Sequence, residues 1–382
     1  MIRQTMGILL DQYRELNHRK LFWIALALSG LVVIAFALIG VKDGNLSVMG
    51  WSTAISLQAI GLTPSTLYKL LFLNLGVKIW LAWLTTILAL VTTAGMFPDF
   101  ITSGSIDLAL SKPIGRVRLF FTKYFAGLLF VALQISIFTV ASFFVLGLRG
   151  GAWEPAVFLA IPLVIVFFSY LYSVCVLLGL LTRSTVASLL LTLLFWFVLF
   201  SLNTTEVALL GFKEQAQVKV DRLEAQVDRL QSAADEKPQN MLDAAKRAMA
   251  LTTPQQRAEA TQSKLDDANK DLRSLERWHG GFYVAKTVLP KTAETIDLLQ
   301  RALVDLADLP DFQDGPAPFM PNDLNDEQRQ QYEEQFAENQ ERGQLTLEVL
   351  SGRSIAWVVG SSLGFEAVIL AFGCLIFVRR DY

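Results

Sequence analysis

The sequence predicts an all-α polytopic membrane protein: six transmembrane helices, with a helical, coiled-coil-containing extracytoplasmic insertion between the fifth and sixth. Three observations predict it. The 382 residues are 53% hydrophobic and only 18% charged, and the apolar residues gather in long runs rather than in the short periods of a soluble core. Six runs, at about 21–41, 74–97, 124–148, 156–181, 184–202 and 354–378, meet the roughly 20-residue length that a helix rising about 1.5 Å per residue needs to cross a ~30 Å hydrocarbon layer. Between the fifth and sixth runs lies a polar stretch whose apolar residues recur every three or four positions.

Four regions follow from this division: a cytoplasmic amphipathic helix over 1–20, five spans over 21–202 with a cytoplasmic loop at 98–123, the insertion over 203–350, and a sixth span with a cytoplasmic tail over 351–382. In the first region Ile2, Met6, Leu9, Leu10, Tyr13 and Leu16 share one helical face, which reads either as an anchor on the inner membrane surface or as a surface for a cytoplasmic partner. The first apolar run follows some twenty residues of charged sequence and exceeds a signal-peptide core, so it reads as an uncleaved helix.

Orientation comes from the short loops, where Lys and Arg mark the cytoplasmic side. Arg14, Arg19 and Lys20 precede the first run; Lys112, Arg116, Arg118 and Lys123 follow the second; Arg183 follows the fourth; Arg379 and Arg380 follow the last. Every second connection is basic, which places both termini inside a bacterial inner membrane and residues 42–73, 149–155 and 203–353 outside. Lys42, Lys69 and Arg149 run against this pattern but are too few to reverse it.

Charge separates the parts further. Residues 203–350 hold 27 acidic and 17 basic side chains, a net charge of -10, while the remainder carries +8. An acidic insertion repels phosphate and so excludes nucleic acid as its partner. The two cysteines, Cys175 and Cys374, both fall in apolar runs, so neither a disulfide framework nor a thiolate metal site is indicated.

Between the second and third runs stands Pro98-Asp99-Phe100-Ile101-Thr102-Ser103-Gly104-Ser105-Ile106-Asp107-Leu108-Ala109-Leu110-Ser111-Lys112-Pro113-Ile114-Gly115-Arg116. Pro98 is expected to end the incoming helix, Thr102 or Ser103 to cap a short new one, and Pro113 to close it. Ile106 and Leu110 then share a face that a partner or the membrane can cover. The run Ser103 to Arg116, followed by Lys123-Tyr124, resembles the cytoplasmic coupling region of type-2 ATP-binding-cassette permeases, most of all the bacterial branch that includes the nitrous-oxide-reductase maturation permease. The resemblance covers roughly 1–202 and 351–382. It implies that Gly104, Ile106, Asp107, Leu110, Lys112, Pro113 and Arg116 meet a cleft on a separate ATPase subunit, and that two permease copies or homologues pair. The chain has no G-x-x-x-x-G-K-[ST] phosphate loop, so ATP would be bound by the partner subunit, with no cofactor and no catalytic residue here.

In the insertion, Ala216, Val220, Leu223, Val227, Leu230 and Ala234 form one seam, and Ala258, Thr261, Leu265, Ala268, Leu272, Leu275 and His279 a second. Two such helices joined by a connection containing Pro238 and Pro254 predict an antiparallel coiled-coil hairpin. After Pro290, Ile296, Leu299, Leu303 and Leu306 line a further helix, and Leu289-Pro290-Lys291-Thr292 resembles the external segment such permeases carry before the last span. The Pro-rich, acidic stretch 310–327 reads as a loop, and a polar helix over 325–350 leads back to the membrane. Segment 206–279 is thereby expected to brace a dimer, to gate the exit of the pathway or to bind an extracytoplasmic protein.

Within the spans, Glu366 is costly unless it faces protein or water. It reads either as a residue of substrate passage or as a hydrogen-bonded packing residue. Gln134 is expected to bond between helices, and Lys78 to snorkel to the interface. His18 and His279 fall on opposite sides of this topology, so they share no metal or proton relay. The function expected is that of a permease subunit in an ATP-driven exporter; the alternative is a non-transporting scaffold anchoring an envelope complex through the external coiled coil.

Overall fold

The computed structural model describes residues 20–42, 45–49, 51–56, 63–102, 115–235, 254–306 and 326–380. The chain divides into two units: the first holds Met1–Phe200, Val288–Pro316 and Ile355–Tyr382, the second Ser201–Thr287 and Ala317–Ser354.

Helix α1 spans Lys20–Leu38. Its apolar part, Phe22–Leu38, is shorter than the four apolar helices that follow in this unit and the last one of the chain. The expected run to residue 41 stops early because Ile39–Lys42 is a strand, β1, paired antiparallel with β2 (Asn45–Val48), which pairs in turn with β3 (Trp51–Ser56). This small sheet is a local exception in a chain whose described residues are otherwise helical, as expected of an all-α membrane protein. Asp43-Gly44 between β1 and β2 is the dipeptide favoured by two-residue hairpins, a local signal masked by the apolar run before it.

Among the described residues, five helices are long and apolar enough to cross a membrane: α2 (Pro64–Thr102), α3 (Arg116–Gly150), α4 (Pro155–Thr182), α5 (Thr185–Asp235) and the last, Ile355–Arg379. Helix α2 starts ten residues before the expected 74 because Thr63 caps it, accepting the Thr66 N–H at 3.2 Å, with Pro64 in the first turn. Its middle, Phe72–Thr85, is π-helical. Near Pro98 it tightens to a 3₁₀ turn over Ala94–Met96 and then resumes as Pro98–Thr102. The proline thus interrupts α2 without ending it: the ring removes the N–H due to the Ala94 carbonyl, and the same fixed φ suits the first position of the next turn.

Helix α4 is the most enclosed span, with 72% of its apolar window buried against 22% for α5 and for the last helix. It touches α2, α3 and the last helix at once, so the core forms around Phe167, Phe168, Leu171, Tyr172 and Leu180. Helix α5 joins through Trp196, stacked on Trp83 of α2 at 4.7 Å. The turn from α4 to α5 places Arg183 in the left-handed region, and the Ser184 hydroxyl accepts the Ala187 N–H to start α5.

In the second unit, α5 continues to Asp235 and α6 spans Pro254–Val288. Val220 and Val227 of the first seam pack with Leu265, Ala268 and Leu272 of the second, flanked by Ala216 and Leu223. Helix α7, Thr292–Leu306, belongs to the first unit, packed on α4, α2 and the last helix through Ile296 and Leu299. The sequence reading grouped it with the insertion; its apolar face finds its cover in the bundle instead. Helix α8 spans Asp326–Ser351, and the last helix, Ile355–Arg379, is α9. Gly211 of α5 lets α8 come close, since a Cβ there would meet Thr346 Oγ1 at 2.8 Å. The N-terminal amphipathic helix and the acidic loop 310–325 lie outside the described residues.

One glycine tests the packing of the core. A Cβ on Gly127 of α3 would lie 2.8 Å from Cζ of Tyr172, a fully buried ring held in an aromatic stack. Gly127→Val should cost about 1–3 kcal/mol of bundle stability, read as a lower unfolding temperature of the purified full chain in detergent.

Candidate functional site

Of the residues that the coupling-region resemblance singles out, Gly104, Ile106, Asp107, Leu110, Lys112 and Pro113 lie outside the described residues. Both flanks of the run are described, and both are tied to one end of the bundle. On the near side, Asp99 accepts a hydrogen bond from the Thr185 hydroxyl at 2.8 Å, and Thr102 bonds back to the Pro98 carbonyl. Pro98 itself sits against Gly179 of α4, where a Cβ would come within 3.1 Å.

On the far side, Arg116 opens α3 and donates from Nη1 to the carbonyls of Val378 and Arg380 at 2.9 and 3.0 Å. Those carbonyls are the ones an α-helix leaves over at its C-terminus, so a guanidinium satisfies them and meets the negative end of the helix dipole. Arg380 does the same for the end of α4 by donating to the Leu180 carbonyl. Lys123 is buried about two turns further along α3, donating to the Met96 carbonyl at 3.3 Å and lying 3.9 Å over the Phe100 ring. Three of the basic residues expected as loop charges, Arg116, Lys123 and Arg380, therefore work as helix caps and cross-links. At the opposite end of this unit Lys69 pairs with Glu154 at 2.7 Å, and Arg149 donates to the Ala37 carbonyl that ends α1.

Inside the bundle, Glu366 is 8% exposed and held by two hydroxyls. Tyr124 of α3 donates to Oε1 and Ser169 of α4 to Oε2, each at 2.7 Å. The Tyr124 ring stacks on Tyr172 at 5.2 Å, so aromatic packing fixes the donor in place. This arrangement matches a packing carboxyl that joins three helices. Gln134 departs from expectation: it is 0% exposed, yet neither its Nε2 nor its Oε1 has a hydrogen-bond partner among the described residues. Lys78 is exposed on α2.

Sequence reasoning passed over a heavily charged buried cluster among the described residues of the second unit. Glu206 of α5 is 0% exposed. Its Oε2 accepts from Lys286 of α6 at 2.8 Å, and its Oε1 lies 2.5 Å from Arg353 and 3.3 Å from His279 Nε2. Lys286 also donates to Asn203 Oδ1 at 2.6 Å, and the Arg353 guanidinium lies over the Tyr283 ring. Residue 206 of α5 thus meets residues 279 and 286 of α6 within this unit. The available signal was Glu206 itself, a lone carboxylate among Val207, Ala208, Leu209 and Leu210 just past an apolar run; its partners stand about 75 to 150 residues away in sequence, beyond any local period.

Burial pushes the Glu206 carboxyl up, but Lys286 and Arg353 outweigh that and hold it below the usual carboxylate range. Among the described residues no group of three or more His, Cys, Asp or Glu side chains is placed to hold a metal ion. No protein family, curated protein or solved structure matches the chain.

Two outcomes follow from these geometries. Tyr124→Phe should destabilise the bundle by about 1–2 kcal/mol by taking a donor from a buried carboxyl, whereas Gln134→Leu should be neutral or stabilising because it removes orphaned polar atoms at little change in volume; thermal unfolding of the two variants side by side checks this. For Glu206 the folded-state value is depressed, so its stabilisation is present above the unfolded glutamate range and is lost only as pH falls through the lower folded value. Acidification from neutrality to about pH 5 should leave the second unit's helix content and protease resistance unchanged, with the loss beginning below about pH 4.

Proposed function

We propose that this chain is the membrane-spanning permease subunit of an ATP-driven exporter of the type-2 ATP-binding-cassette kind. The observation that carries the reading is the run Ser103 to Arg116, with its permease-like coupling pattern, set between two of five membrane-length helices in a chain without a phosphate-binding loop of its own. A separate cytoplasmic ATPase would seat on that run and bind the ATP. The anchoring of both flanks, Asp99 to Thr185 and Arg116 to the end of α9, supports this, because a push on the run would pass directly into α3, α5 and α9. In the same reading α1 completes a six-span plan, both termini face the cytoplasm of a bacterial inner membrane, and a second permease copy or homologue completes the pathway. Covalent chemistry has no part in it; the chain acts by changing conformation.

The second unit supports a further element. Its two seams share a core of their own, as a coiled-coil hairpin on the outer side would, and ATP-driven motion would reach it through α5. That core also favours one alternative, a non-transporting scaffold that anchors an envelope protein through 206–279.

Capture from native membranes separates the two. The tagged chain should bring down an ATP-hydrolysing subunit, and Asp107→Ala combined with Lys112→Ala should reduce its recovery about tenfold or more, the equivalent of one well-placed contact. Arg116 is left intact because it caps α9. An assembly that contains an external protein and no ATPase would establish the scaffold instead.

A further inference from the structure

Three chain crossings between the two units lie among the described residues: Phe200 to Ser201, Thr287 to Val288, and Ser354 to Ile355. The buried charge cluster collects a residue from beside each of them. Asn203 and Glu206 follow the first crossing, Lys286 immediately precedes Thr287 at the second, and Arg353 immediately precedes Ser354 at the third. All of these residues belong to the second unit. The chain is helical at the first two crossings, within α5 and at the end of α6, and the third falls in the break between α8 and α9, so the backbone by itself couples none of these segments to another.

One carboxylate supplies that coupling. Glu206 has both oxygens committed, Oε2 to Lys286 and Oε1 to Arg353 and His279, and Asn203 accepts a second bond from Lys286 on the same helical turn. Tyr283 backs the group, its ring facing both Arg353 and His279. Around a fully buried anion such bonds are strong and poorly screened by salt, and removing the anion would take from Lys286 and Arg353 the charge that both of them meet. We propose that Glu206 is the pin of an ionic clasp that fastens the three crossings into one joint, so that α5, α6 and the end of α8 open and close at their base as a single body. This is a property of the chain itself and holds whichever partner the protein serves.

Hydrogen–deuterium exchange of the full chain in lipid nanodiscs tests it. In the native protein the amides of 203–210, 279–287 and 346–353 should open with a common protection factor, as one cooperative unit does. Glu206→Gln, which keeps the shape and removes the charge, should lower protection about tenfold or more in all three segments while leaving α4 unchanged. Should that variant lose protection in α4 as well, Arg353→Ala decides, since it spares the Lys286 bond: its effect must spread from 346–353 to the other two segments. A loss confined to the mutated segment, or protection unchanged within about twofold in all three, overturns the clasp.

Discussion

Polar groups at helix ends have to be satisfied where water is scarce, and the helix bundle depends on how that is done. An α-helix leaves its last carbonyls without intrahelical donors, and in an apolar layer each orphan costs several kcal/mol. Here arginines answer the need from other helices. Arg149 of α3 serves the end of α1, Arg116 of α3 serves the end of α9, and Arg380 serves the end of α4. Each cap is therefore also a cross-link, and the order in which helices meet is written partly in which guanidinium reaches which terminus. The planar fork of arginine suits this work, since one group meets two carbonyls at once, as Arg116 does.

Two of the buried carboxylates, Glu366 and Glu206, solve the same problem by different chemistry. Glu366 is surrounded by hydroxyls from Tyr124 and Ser169, a neutral arrangement suited to the middle of a bundle, and the stacked Tyr124 and Tyr172 rings keep its donor in position. Glu206, by contrast, is met by Lys286, Arg353 and His279. A hydroxyl-bonded carboxyl contributes to packing with little penalty, whereas an ion cluster is costly to assemble and still costlier to break, because the partners left behind are charged. That asymmetry makes removal of Glu206 costlier than loss of one hydroxyl bond to Glu366.

Much of the architecture was legible from composition and period. The apolar runs at 124–148, 156–181 and 354–378 fall within α3, α4 and α9, since length and hydrophobicity alone decide what an apolar layer accepts. The seam residues Val220, Val227, Leu265 and Leu272 do share a core, because a three-and-four spacing puts them on one face whatever they pack against. Boundaries were read less well. Pro98 was expected to end a helix that only narrows to 3₁₀ there, as the missing N–H constrains one turn and leaves the next free to form. The strands at 39–56 went unread because four to six residues carry too little periodicity to stand out beside an apolar run.

By itself, then, the sequence determined that the chain is built from membrane-length helices interrupted by a polar, acidic insertion with two apolar seams, for these are one-dimensional properties of hydrophobicity and spacing. Only the tertiary structure decided that α7 belongs with the bundle, that Arg116 and Lys123 cap and cross-link rather than sit in a loop, that Gln134 lacks a partner among the described residues, and that Glu206 meets cations from two distant segments. The reason is physical: the energy of a buried polar group is set by which donors and acceptors surround it in space, and those arrive from positions that no local pattern connects.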